Sequence, residues 1–94
     1  MASQVSGQSY AHITTATTTT VKANLGTLVR VNVNLSAAGT ITIFDNTAAS
    51  GTVIGVITMG AAGTPYSLPF ECDFKIGLTL VTSVGTIDLT VVYF

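Results

Sequence analysis

Leu28-Val29-Arg30-Val31-Asn32-Val33-Asn34-Leu35 decides the fold class. Val29, Val31, Val33 and Leu35 fall on one side and Leu28, Arg30, Asn32 and Asn34 on the other. This is the period of two of a pleated strand and not the period of about 3.6 of a helix. The end of the chain repeats the pattern, with Ile87, Leu89, Val91 and Tyr93 facing one way and Asp88, Thr90, Val92 and Phe94 the other. Residues 40–46 form a further strand that turns Ile41 and Ile43 inward ahead of the turn-forming pair Asp45-Asn46. Residues 52–59 are apolar on both sides, Val53 and Ile57 on one and Ile54 and Val56 on the other, which predicts a strand covered on both faces.

Between these runs Gly-Thr recurs at 26–27, 39–40, 51–52, 63–64 and 85–86, the first four at intervals of 13, 12 and 12 positions, the period of one strand plus one turn. Pro65 and Pro69 bracket Tyr66-Ser67-Leu68. Proline donates nothing to a ladder, so this segment is expected at a sheet edge or a crossover, with the strand proper starting at Phe70. There Phe70, Cys72 and Phe74 alternate inward against Glu71, Asp73 and Lys75. The threonine-rich residues 14–20 are β-branched and favour extended structure. Helical pattern is absent apart from a short turn near residues 47–50. The expectation is an all-β chain: one antiparallel β-sandwich, jelly-roll-like in having about eight strands, over residues 14–94, preceded by an N-terminal arm over 1–13. Because residues 1–20 lack regular inward alternation, they are expected to reach a neighbouring subunit or a larger assembly by adding a strand to an exposed sheet edge.

Only 7% of the chain is charged and 48% is hydrophobic, against about a quarter charged in an ordinary soluble domain. Such a surface is suited to being covered by other protein. Three basic and four acidic residues, scattered, offer no footprint for a nucleic-acid backbone. Mean hydropathy is +0.65, yet polar residues interrupt every apolar run before the ~20 residues of a membrane-spanning helix. The start of the chain has neither the basic nor the apolar region of a secretory signal, so synthesis in the cytoplasm is expected.

Chemistry is weakly signalled. His12 is the only histidine and Cys72 the only cysteine, too few for a zinc site without unusual carboxylate help. His12 reads as an ordinary strand or surface residue. Cys72 reads as a buried structural thiol with no basic neighbour to favour thiolate. A Ser-His-Asp set built from His12 and Asp45 or Asp88 lacks the Gly-x-Ser-x-Gly elbow. Glu71 and Asp73 with Asp45 or Asp88 supply oxygen of the kind calcium takes, but Lys75 continues that side, and a solvated charged stripe is the better reading. No phosphate loop is present. No catalytic, cofactor or metal residue is therefore assigned. There remains a second apolar face, Phe44, Ile54, Val56, Val81, Val92 and Phe94, joined by Tyr10 as an exposed aromatic, which together form the candidate interface.

From Thr17 to Phe94 the chain resembles small β-sandwich virion proteins of tailed bacteriophages, the head decoration or cement proteins. The resemblance rests on Thr-Thr-Val-Lys at 19–22, Leu-Val-Arg-Val-Asn-Val-Asn at 28–34, Thr-Ile-Thr-Ile-Phe-Asp-Asn-Thr-Ala-Ala-Ser-Gly-Thr-Val-Ile at 40–54, Pro-Phe at 69–70, Gly-Leu-Thr at 77–79 and Asp-Leu-Thr-Val-Val-Tyr at 88–93. It implies a non-enzymatic subunit that oligomerises, a trimer being favoured, and binds the major capsid protein lattice on the outer surface of the virion, where it stabilises the head. The close at Phe94, with no appended receptor-binding domain, favours cementing. The alternative is a tail, neck or host-recognition component with a receptor or glycan target.

Overall fold

The computed structural model describes residues 8–60, 65–84 and 87–94. They form eight strands: β1 (Ser9–Ile13), β2 (Thr18–Lys22), β3 (Gly26–Leu35), β4 (Gly39–Asp45), β5 (Thr52–Met59), β6 (Tyr66–Phe74), β7 (Leu78–Thr82) and β8 (Asp88–Tyr93). Two antiparallel four-stranded sheets pack face to face, with orders β1-β8-β3-β6 (sheet A) and β2-β7-β4-β5 (sheet B). The pairings are nested: β4 with β5, β3 with β6, β2 with β7 and β1 with β8. The chain thus doubles back once, at residues 46–51, and the resulting ribbon rolls up to add β3·β8 and β4·β7. This is the jelly-roll arrangement expected from the strand count.

The central turn is built locally. Asn46 Oδ1 accepts the Thr47 amide at 2.8 Å, Asn46 Nδ2 donates to the Ser50 carbonyl at 2.8 Å, and Gly51 takes φ 86°, a value that glycine reaches without a Cβ clash. The turn pairs at 63–64 and 85–86 lie outside the described residues.

The core lies between the sheets. Leu28, Val31 and Val33 of β3, Ile41 and Ile43 of β4, Leu78 and Leu80 of β7 and Leu89 and Val91 of β8 are fully buried, closed off by Phe74 and Ile87. The period of two holds as expected in β4 and β8. In β3 it does not. The register shifts between Leu28 and Arg30, so Val29 is an extra residue and Leu28 and Val31, three apart, both point inward. A second shift between Val33 and Leu35 turns Leu35 out to solvent. The inward set is therefore Leu28, Val31 and Val33, in place of Val29, Val31, Val33 and Leu35.

A bulge also corrects β5. Its register against β4 shifts opposite Ile43 and Phe44, making Ile54 the extra residue. Ile54 and Ile57 then both pack against the core while Val53 and Val56 stand exposed. Among the described residues β5 is an edge strand and not one covered on both faces. The prolines behave as expected, since β6 is the opposite sheet's edge, but the strand starts at Tyr66 and runs through Pro69. It absorbs its own extra residue opposite Val29, where Glu71 takes φ 52°. Phe70, Cys72 and Phe74 pack inward as the alternation predicts, with Cys72 half-buried.

Residues 9–13, part of the expected arm, instead form edge strand β1 of the chain's own sheet, with Ile13 buried. Residues 18–22 likewise pair with β7. Thr82 holds the connection between β1 and β2: its buried hydroxyl oxygen accepts the Thr17 amide at 3.0 Å and donates to the Thr15 carbonyl. β7 and β8 would otherwise leave open edges, and the nearest cover is the segment their own chain supplies. Residues 1–7 of the expected arm lie outside the described residues.

Candidate interface: the two outer faces of the sandwich

The pleat that sends one set of side chains to the core sends the other set outward, so each sheet has an outer face whose membership is dictated by register. On sheet B, Thr18, Val81, Thr42 and Val56 make one row across the four strands, and Thr20, Thr79, Phe44 and Val53 the next. Thr40 and Thr58 extend the face. Val53 and Val56 are exposed, 47% and 57%, and Phe44 and Val81 are half-buried. Thr79 is fully covered by the 46–51 turn, to which its hydroxyl donates at the Asn46 carbonyl, 2.8 Å. No charged side chain lies on this face among the described residues. The two charges that sheet B carries, Lys22 and Asp45, stand at strand ends.

Sheet A presents the opposite chemistry. Tyr10, Val92 and Arg30 line up in one row and His12, Thr90, Asn32 and Ser67 in the next. His12 Nε2 lies 2.7 Å from Asp88 Oδ1, Asn34 Nδ2 donates to the same oxygen at 3.1 Å and to Thr90 Oγ1 at 3.1 Å, and Ser67 Oγ donates to Asn32 Oδ1 at 2.7 Å. These bonds hold the Asp88 carboxyl below the ordinary aspartate range, the Asn34 bond first and His12 second. The group has no nucleophile activated by a base, and it reads as a solvated hydrogen-bonded surface.

The seven sequence candidates therefore separate. Phe44, Val56 and Val81 come together on the outer face of sheet B. Tyr10 and Val92 are neighbours on sheet A, beside Arg30. Ile54 leans on the core because of the β5 bulge. Phe94 succeeds β8, is 41% exposed, and exchanges main-chain hydrogen bonds with Thr27 while its carbonyl accepts Lys22 Nζ at 2.9 Å. Val53 and Thr42 belong to the sheet B face and escape the sequence reading. The bulge that places Val53 beside Val56 has no marker in the sequence beyond the adjacent Gly55.

Asp45, at the end of β4, is committed to structure. Its carboxylate accepts the amides of Lys75 and Ile76 at 2.9–3.0 Å and of Gly77 at 3.4 Å, pinning the turn by which the chain passes from sheet A to sheet B. Those bonds, that to Ile76 foremost, lower its pKa. Asp73 accepts from Thr27 Oγ1 at 2.8 Å. Among the described residues no three His, Cys, Asp or Glu side chains gather as a metal site would require. A shallow cleft of about 330 Å³ between Leu25, Gly26, Thr27, Asp73, Phe74 and Lys75 has its carboxylate already engaged by Thr27. Burial raises the Cys72 pKa, with the charge of Asp73 adding to it, which keeps the thiol protonated. No helix among the described residues is long and apolar enough to cross a membrane.

No family model matches the chain. No curated protein matches it either. Among solved structures, one described as "Bacillus endospore appendages form a novel family of disulfide-linked pili" is similar with a TM-score of 0.44 at 9% identity, over 93% of this chain and 85% of that one.

Proposed function

We propose that this chain is a non-enzymatic assembly subunit whose outer sheet B face is covered in its working state, and that its place is on the outer capsid of a phage virion, as a decoration protein bound to the major capsid protein. The observation that carries the reading is the uncharged outer face of β2, β7, β4 and β5: Phe44, Val53, Val56 and Val81 set among threonines. Covering such a face strips water from methyl groups, which is favourable at about 25 cal/mol per Å², without the cost of burying charge. A subunit that binds only the assembled shell stabilises that shell by mass action. The resemblance of residues 17–94 to phage decoration proteins supplies the capsid as the partner.

A density map of virions incubated with the chain tests this. Copies spread over the shell with sheet B toward the lattice are expected. Copies confined to one vertex move the protein to the neck or tail, and a virion without it overturns the reading.

A further inference from the structure

The sandwich has four edge strands, and three of them are guarded. β1 is five residues long and carries His12, paired to Asp88. β2 is five residues long, shifts register between Thr20 and Lys22 and ends on that lysine. β6 holds Pro69, Glu71 in the left-handed region, and Asp73. Short length, charge, proline and irregularity are the means by which sheets avoid pairing with foreign strands. β5, Thr-Val-Ile-Gly-Val-Ile-Thr-Met, has eight residues with neither charge nor proline. Its one irregularity, at Ile54, sits near its start. From Gly55 to Met59 it pairs in unbroken register with β4 and, among the described residues, on that side only.

We infer that β5 is a self-association edge, on which the Gly55–Met59 run of a second copy pairs antiparallel about a two-fold axis at Ile57. Closure identifies the occupant. Any other partner on β5 satisfies one copy's edge. A second copy satisfies both edges at once, and an isologous contact ends the assembly there. The strand is self-complementary in this register: Gly55 stands opposite the second copy's Met59, Val56 opposite its Thr58, and no like charges meet. Sheet B then continues as one eight-stranded sheet, and the uncharged outer face doubles in width. This two-fold geometry makes a dimer the unit in solution, in place of the trimer that the resemblance favours, and it holds whether or not a capsid is the final partner.

Sedimentation of the free, full-length chain at tens of micromolar tests it, so the outcome is independent of any virion. The wild-type protein is expected to run at twice its 9.6 kDa mass. Because Val56 and Thr58 face outward, substitutions there leave the core intact, which a thermal melt checks. Val56→Lys with Thr58→Lys sets lysines opposite lysines across the axis and should weaken association by about tenfold or more. Val56→Lys with Thr58→Glu sets lysine opposite glutamate and should remain dimeric. A wild-type monomer or trimer overturns the inference, as does a dimer that the double lysine leaves untouched or that the lysine–glutamate pair fails to retain.

Discussion

The outer faces of the two sheets come from the same pleat, the same strand count and the same nested pairing, yet they differ in chemistry. Sheet A carries Arg30, Glu71, Asp73 and Asp88 on its strands, and its polar side chains are bonded to one another: His12 and Asn34 to Asp88, Ser67 to Asn32, Thr27 to Asp73. Sheet B keeps its two charges at strand ends and offers threonines, valines and one phenylalanine. Only seven residues in the chain are charged, and four of them stand on the strands of sheet A, so the sheet B face is the one that the reading proposed above expects to be covered. The low charge content is thus not a uniform property of the surface.

The sharpest way to break this contrast is a matched pair of lysines on equivalent strands, each second in its sheet. Val81→Lys puts a charge in the middle of the sheet B face and should weaken binding to virions by about a hundredfold or more, since an uncompensated charge moved into a dry contact costs several kcal/mol. Thr90→Lys, on sheet A beside Asp88, should leave binding within about twofold, as for a surface pair. Equal losses from both would erase the distinction.

A smaller effect is expected where the two sheets are tied together. Asp45→Ala removes the acceptor for the Lys75 and Ile76 amides and should lower stability by about 1–3 kcal/mol, read as a denaturation midpoint. The pH dependence has a definite sign. Asp45 and Asp88 both have folded pKa values below the ordinary aspartate value of 3.8. Their contribution is therefore complete above that value and is lost as pH falls through the lower folded values. A melting temperature tracked downward from neutral pH should stay level until about pH 4 and then fall. Asp45→Ala should flatten that fall more than Asp88→Asn, because three main-chain amides converge on the Asp45 carboxylate, whereas Asp88 is held by two side chains, Asn34 and His12.

The strands that hold an unbroken period of two are legible in the sequence. Ile41 and Ile43, and Leu89 and Val91, point inward as the alternation requires, and the prolines mark β6 as an edge. Register is not legible. One extra residue at Val29 and another at Ile54 reverse the parity of the residues after them, and nothing in a β-branched run announces a bulge, because valine and isoleucine suit either side of the pleat. The same ambiguity scatters the candidate interface. Phe44, Val56 and Val81 can be found because they sit opposite inward neighbours, whereas alternation alone puts Val53 on the wrong side and Ile54 on a face it does not reach. The early strands look like an arm because Ser9-Tyr10-Ala11-His12-Ile13 in β1 and the threonines of β2 give no regular inward signal, although Ile13 and Thr82 anchor them.

Side-chain footprinting with a radical label, comparing the free protein with the same protein in the virion-bound state proposed above, tests the central claim most directly. Phe44 and Tyr10 report on opposite faces of one sandwich. Labelling of Phe44, with Val53 and Val56, should drop to near background on assembly, while Tyr10 on sheet A keeps the labelling of the free chain. Protection of Tyr10 with Phe44, Val53 and Val56 unchanged would contradict the account and make the charged, hydrogen-bonded face the covered one.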